Sequence, residues 1–280
     1  MKKILMNLLL VSSLFSQTFT FSAIPDQDET KLKERFSKLA VYLSKELNVD
    51  AKFVPIKSYS ASIAAFRNKQ LQLAWFGGFS GVKARLIVPN SMAIAQGVED
   101  TEFRSYIIAN VKTGLTSSDK FPKGLEGRTF TFGSKGSTSG RLMPEFFIRE
   151  HLNKAPSKVF SKVGYSGNHT KTISLVQSGA YEVGAVNYKV WDAGIKAGTI
   201  DTSKVKIIWT TPTYPDYQFT VHGDLDDTYG KGFTAKLKAT ILNLKDKAIL
   251  ESFNRSGFIE AKNSDYAPIL SVGKSTGLID

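Results

Sequence analysis

The densest group of residues able to do chemistry lies in "TFGSKGSTSGRLMPEFF", Thr131–Phe147, where Ser134, Ser137, Thr138 and Ser139 stand among Gly133, Gly136 and Gly140. The alternation "TFTF" from Thr129 predicts a strand ending at Gly133, and a helix is expected to begin near Gly140. A helix N-terminus carries free N–H donors and about half a positive charge, and flanking hydroxyls add donors, so the junction has the chemistry of an oxyanion receptor. Glycines there let the backbone approach a ligand closely. Any one of these hydroxyls reads as an ordinary helix cap. Three in a row with glycine on either side point to an anion, and Ser134, Ser137, Thr138, Ser139 and Gly140 are taken as ligand-binding. Pro144 removes one early helical hydrogen bond, which is tolerable only near the first turn.

Further candidates follow the same logic of a strand end feeding a helix. In "YSGNHTKT", Tyr165–Thr172, His169 stands at the start of a helix and can donate to an anion; read alone, it is a cap histidine. "PTYPDYQF" supplies Asp216 beside Tyr214 and Tyr217, in what is otherwise a rigid Pro-flanked turn. A carboxylate repels an anion unless a proton is shared, so Asp216 would select ligands carrying a P–OH or similar donor. Tyr59 precedes a helix, and "AWFGGFSG", Ala74–Gly81, repeats the strand, glycine and helix order at Gly77, Gly78 and Ser80.

The elements that must position these groups alternate. After the strand "TFTFSA", Leu32, Phe36, Leu39, Leu43 and Leu47 recur at helical spacing, and strand and helix patterns then follow in turn. Such alternation predicts α/β layers with largely parallel sheets. "TFTFGS" at Thr129 echoes "TFTFSA" at Thr18, which suggests two lobes that start alike. The first lobe is expected over 17–110, the second over 111–210, and 211–280, read as helical, returns to the first. Two crossings, near "IIANVKTG" and "TTPTYPDYQF", would make a hinge, with the ligand in the cleft beyond the strands' carboxyl ends.

Composition narrows the function. "MKKILMNLLLVSSLFSQ" has a basic head, a short apolar run and then small polar residues, so 1–16 is expected to be a cleaved signal peptide. With no cysteine in the chain, disulfides, thiolate metal sites and an N-terminal lipid anchor on cysteine are excluded, and a free periplasmic protein is expected. The net charge of +12 attracts anions. Its lysines are scattered and export argues against nucleic acid. "VGKST" at Val272 fails as a phosphate loop, because Pro268 occupies the first glycine position and no helix has room to follow. No G-x-S-x-G elbow supports a hydrolase, and His151, His169 and His222 are too dispersed for a metal.

"FSAIPDQD", "LQLAWFGG", "AIAQGVED", "TFTFGS", "STSGRLMPEFFIRE", "VGAVNY" and "PTYPDY" resemble the phosphate, phosphite and phosphonate substrate-binding proteins of ABC importers, the phosphonate-binding (PhnD-like) family. The resemblance implies a two-lobed clamshell of the type II-like periplasmic kind that delivers its ligand to a permease and ATPase. It implies that Ser137, Thr138 and Ser139 hold the oxyanion, that His169 adds a donor from the same lobe, and that Tyr59 and Asp216 reach in from the other side or the hinge. Aminophosphonate binders of the family look to a carboxylate after the "VGAV" strand, where this chain has Asn187, Tyr188 and Lys189, so Asn187 joins the candidates. "AWFGG", "AIAQGVED" and "STSGRLMPEFF" are also similar to a subgroup labelled as selenate binders.

The expectation is a monomeric, non-enzymatic binding protein for a small oxyanion: phosphonate, phosphite, phosphate or selenate. It needs no cofactor or metal. Presentation of the ligand to a membrane sensor, or a phosphoesterase using the same cradle, are the alternatives.

Overall fold

Two mixed sheets joined by two chain crossings make up the computed structural model, which describes residues 18–279. The expected leader at 1–16 lies outside the described residues. In chain order the first lobe has β1 (Thr18–Ala23), α1 (Glu29–Leu47), β2 (Asp50–Phe53), α2 (Tyr59–Arg67), β3 (Leu73–Phe76), α3 (Gly78–Ile87) and β4 (Met92–Gly97). The second has β5 (Ser105–Asn110), β6 (Thr129–Phe132), a π-helical turn Thr138–Leu142 running into α4 (Met143–Leu152), α5 (Pro156–Val159), β7 (Lys162–Tyr165), α6 (His169–Gln177), β8 (Val183–Asn187), α7 (Tyr188–Lys196) and β9 (Val205–Thr210). The chain then returns through β10 (Gln218–Val221), α8 (Leu225–Tyr229), α9 (Phe233–Leu242), α10 (Lys247–Phe253), β11 (Phe258–Glu260) and α11 (Ala267–Ser275).

The strand orders are β11-β4-β10-β3-β1-β2 and β7-β6-β8-β5-β9. Pairs linked by crossover helices are parallel, β1 with β2 and β3, and β6 with β7 and β8. Strands arriving from the other lobe run antiparallel: β10 enters between β3 and β4, and β5 between β8 and β9. The sheets are therefore less parallel than strand and helix alternation alone predicts. The boundary expected at 110/111 also moves. β5 pairs with β8 and β9, so the first crossing is Val98–Arg104 and the second lobe's sheet begins at Ser105. In the C-terminal part, read as helical, β11 adds a short edge strand on β4.

Helix α1 shows why the first lobe holds together. Its Leu32, Phe36, Leu39, Leu43 and Leu47 are all buried, and full burial of each such side chain contributes roughly 1.5–3 kcal/mol. Phe36 stacks on Phe53 at 4.8 Å between ring centroids and meets Phe253 edge-on at 5.1 Å, which ties α1 to β2 and to the returning segment. Asn48, with φ 58°, ends the helix in the left-handed conformation that asparagine tolerates.

The crossings are bound to each other. Phe103 and Tyr214 exchange two backbone N–H···O bonds of 2.9 Å, and Asp216 N–H donates to the Asp100 carbonyl at 2.9 Å. Arg255 holds the buried Asp100 carboxylate with two donors, Nε to Oδ2 at 2.7 Å and Nη2 to Oδ1 at 2.6 Å. Gly97 is required beside this pair, because a Cβ there would collide with Asp100 Oδ2 and with Arg255.

Candidate functional site

The carboxyl ends of β1, β3, β6, β7 and β8 all feed the space between the lobes. At the end of β6, Ser137 caps the following helix and its Oγ accepts from Gly140 N–H at 2.9 Å. The first turn is wide, with Leu142 N–H donating to the Ser137 carbonyl at 3.0 Å. Pro144 fits because the carbonyls it cannot serve find other donors: Gly133 N–H reaches the Gly140 carbonyl at 2.8 Å, and the Ser105 hydroxyl reaches the Ser139 carbonyl at 2.7 Å. The first-turn amides of Thr138 and Ser139 are left without an intrahelical acceptor at the positive end of the helix.

Several polar atoms around this turn are buried without a hydrogen-bond partner, among them Ser139 Oγ, His169 Nε2 and Asp216 Oδ2. These three come from three separate elements, and buried polar groups in native folds are almost always paired. The glycines report how closely these elements pack. A Cβ on Gly140 would lie 3.0 Å from His169 Cε1 and 3.0 Å from Ser137 Oγ. One on Gly77 would lie 3.0 Å from Asp216 Oδ1 and 3.1 Å from Thr138 Oγ1, so a side chain there would crowd the place where β3 delivers the α3 N-terminus between them.

His169 is a neutral donor. Its Nδ1 accepts Asn187 N–H at 3.2 Å, and burial pushes the imidazole down to about 3, so the ring proton is assigned to the orphaned Nε2. Its own backbone N–H donates across the cleft to the Asp26 carbonyl at 3.0 Å. Asp216 accepts Gly78 N–H at Oδ1 at 2.8 Å, and burial raises its carboxyl to about 7 against opposing hydrogen bonds from Thr138 and Gly78. A proton on Oδ2 makes it a donor too. Tyr59, the first residue of α2, is buried against Gly136 and beside the Ser137 hydroxyl, with burial holding its phenol protonated.

The structure thus brings together Ser137, Thr138, Ser139, Gly140, His169, Tyr59, Asp216 and Gly77. Ser134 and Asn187 have other employment. Ser134 shapes the loop, accepting Gly136 N–H at its hydroxyl at 3.3 Å and Ser137 N–H at its carbonyl at 3.0 Å. Asn187 caps α7 through Oδ1, accepting Lys189 N–H at 2.8 Å, and braces His169 from behind. Thr138 Oγ1 accepts Phe79 N–H at 3.0 Å and so also clips the lobes. Sequence reasoning missed Asp26, whose Oδ2 accepts the Tyr217 hydroxyl at 2.8 Å. Its only signal was position, the first of two acidic residues just past the end of β1 in "IPDQD".

Two α/β lobes joined by paired crossings, closing neutral donors around a buried point, define a clamshell solute-binding protein. The model of the ABC transporter phosphonate periplasmic substrate-binding proteins matches residues 21–266, and the chain belongs to that family. Over 264 residues, 92% of this chain and 89% of the relative, it is 43% identical to the probable ABC transporter phosphite binding protein PhnD1 of Prochlorococcus marinus (strain MIT 9301). The solved structure of PhnD1 from that organism in complex with methylphosphonate is similar with a TM-score of 0.90 at 42% identity, covering 94% of this chain and 100% of that one. The phosphonates-binding periplasmic protein of Escherichia coli (strain K12) is 22% identical over 260 residues, 90% of this chain and 75% of the relative.

Proposed function

We propose that the protein captures a small tetrahedral phosphorus oxyanion of the phosphite or phosphonate class in the periplasm, and hands it, as a monomer, to a membrane permease and its ATPase. The observation that carries this reading is the convergence of three buried, unpartnered polar atoms, Ser139 Oγ, His169 Nε2 and Asp216 Oδ2, on the helix N-terminus at Thr138. An anion there receives the first-turn amides, the hydroxyls of Ser139 and Tyr59, and the neutral imidazole. Asp216 shares a proton with it. Closure removes water, so neutral donors hold charge more strongly than they would in solution.

The likeness to PhnD1 supports phosphite or methylphosphonate over a longer aminophosphonate, and Asn187 in place of a carboxylate points the same way. Calorimetric titration with phosphite, methylphosphonate, phosphate, sulfate and selenate tests the reading. One-to-one binding that is tightest for phosphite or methylphosphonate is the expected result, with a matching rise in thermal stability. Absence of binding to all five refutes it, and selenate as the tightest ligand would move the assignment to that anion.

A further inference from the structure

Beside the anion cradle, between α1 and α10 of the first lobe and α7 of the second, lies a cavity of about 650 Å³. Asp26, Tyr217 and Asn187 all line it, and the same three residues are bonded to the cradle or to one another. The Asp26 carbonyl accepts His169 N–H at 3.0 Å, and Asn187 N–H donates to His169 Nδ1 at 3.2 Å. Asn187 Nδ2 donates to the Tyr217 hydroxyl at 3.0 Å, which donates to Asp26 Oδ2 at 2.8 Å. Tyr217 directly follows Asp216 in the chain. The result is a continuous hydrogen-bonded partition with the cradle on one side and the cavity on the other. Asp26 Oδ1, buried and unpartnered, leaves it one acceptor unused. The bulk of the partition is the Tyr217 ring, 2% exposed and stacked on Trp75 at 5.5 Å between centroids with 21° between planes.

We infer that the Tyr217 ring sets the upper limit on ligand size, and that shortening this side chain joins the cradle to the cavity, so that the protein accepts an arylphosphonate. The inference rests on the cradle being the anion site. A phenyl group on phosphorus has the size and flatness of the ring it would replace. Trp75 would offer it the face that Tyr217 now covers, and Phe253 and Val190 add apolar wall to the same cavity. Methyl-sized substituents need none of that space. The partition therefore admits small anions and rejects large ones by the volume of the Tyr217 ring.

The experiment titrates phosphite and phenylphosphonate into the full chain, unsubstituted and as Tyr217→Leu, Tyr217→Ala and Tyr217→Phe, and follows Trp fluorescence as well as heat. Unsubstituted protein and Tyr217→Phe, which keeps the ring, should discriminate strongly against phenylphosphonate. Tyr217→Leu or Tyr217→Ala should narrow the ratio of the two affinities by about tenfold or more, the scale on which a steric pocket discriminates. Tyr217→Leu retains apolar packing, so it carries the test if Tyr217→Ala does not fold. A folded Tyr217→Leu or Tyr217→Ala that binds phosphite and still rejects phenylphosphonate as strongly as the unsubstituted protein overturns the inference. Failure of the unsubstituted protein to bind any small anion is a different result, and it overturns the functional reading beneath.

Discussion

Replacing Asp216 by Asn should change how affinity depends on pH more than it changes affinity itself. Burial raises the carboxyl from an ordinary 3.8 to about 7 in the closed molecule, while Gly78 N–H and Thr138 favour the ionised form. Below about pH 7 the group is neutral and Oδ2 can donate to the anion; above it, a carboxylate faces a second negative charge. Binding is thus fully supported on the acid side and lost as pH rises through the raised value, unless the ligand brings the shared proton. Once both are ionised, each complex must take up one proton, so affinity falls about tenfold per pH unit. Two units above that point the loss is about 2.7 kcal/mol. In Asp216→Asn the carboxamide can donate without proton uptake, so the slope should flatten even though the carboxamide binds more weakly at low pH. Titration of phosphite across neutral and alkaline pH, repeated in buffers of different ionisation enthalpy, measures both slope and proton uptake. Equal slopes in the two proteins, with no proton taken up by either, would remove Asp216 from the role of shared-proton site.

Two other perturbations separate cradle from hinge. Ser139→Ala deletes an orphaned hydroxyl and nothing else, so it should weaken anion binding by about 1.5–3 kcal/mol, the value of a hydrogen bond to a charged group, with little change in thermal stability; an unchanged dissociation constant by calorimetry would exclude that hydroxyl from the site. Arg255→Met strands the buried Asp100 carboxylate and should cost about 3–5 kcal/mol, or roughly 10 °C in melting temperature for a chain of this length. Adding Asp100→Asn should recover most of the loss in a thermal melt, and no recovery would mean that Arg255 acts through packing against Phe103 and Tyr217 rather than through the pair.

Local pattern made part of this legible. The hydroxyl cluster, the glycines and the helix start at Ser137–Gly140 are adjacent in sequence, and period-3.6 apolar spacing is enough to find α1. What stayed hidden depends on residues distant in the chain. "SYIIAN" reads as a strand, but its membership of the second sheet is decided by pairing with β8 and β9, more than seventy residues on. Nothing near Pro144 predicts that Ser105 and Gly133 take over its unmet carbonyls. The tautomer of His169 follows from a backbone N–H eighteen residues away at Asn187. Asp26 and Tyr217 form a bond across 191 positions and gave no signal that spacing could reveal.

The chain carries a formal charge of +12, yet none of the groups gathered in the cradle is a cation. The two facts fit one physical division of labour. Scattered lysines raise the local concentration of any anion, but in water they do so without regard to shape, and salt screens them over about 8–10 Å. A buried lysine or arginine in the cradle would hold sulfate as readily as a phosphonate, and would leave an unpaired charge to be desolvated each time the empty lobes closed. Neutral donors avoid that cost and bind charge through geometry. On the proposed reading, donors fixed on the turn at Thr138, on α6 and on the second crossing would accept one tetrahedral arrangement of oxygens, and the raised carboxyl of Asp216 would add a demand for a proton. Discrimination among anions would then be set by where the donors point and who supplies that proton, while the net charge would act earlier, on the encounter.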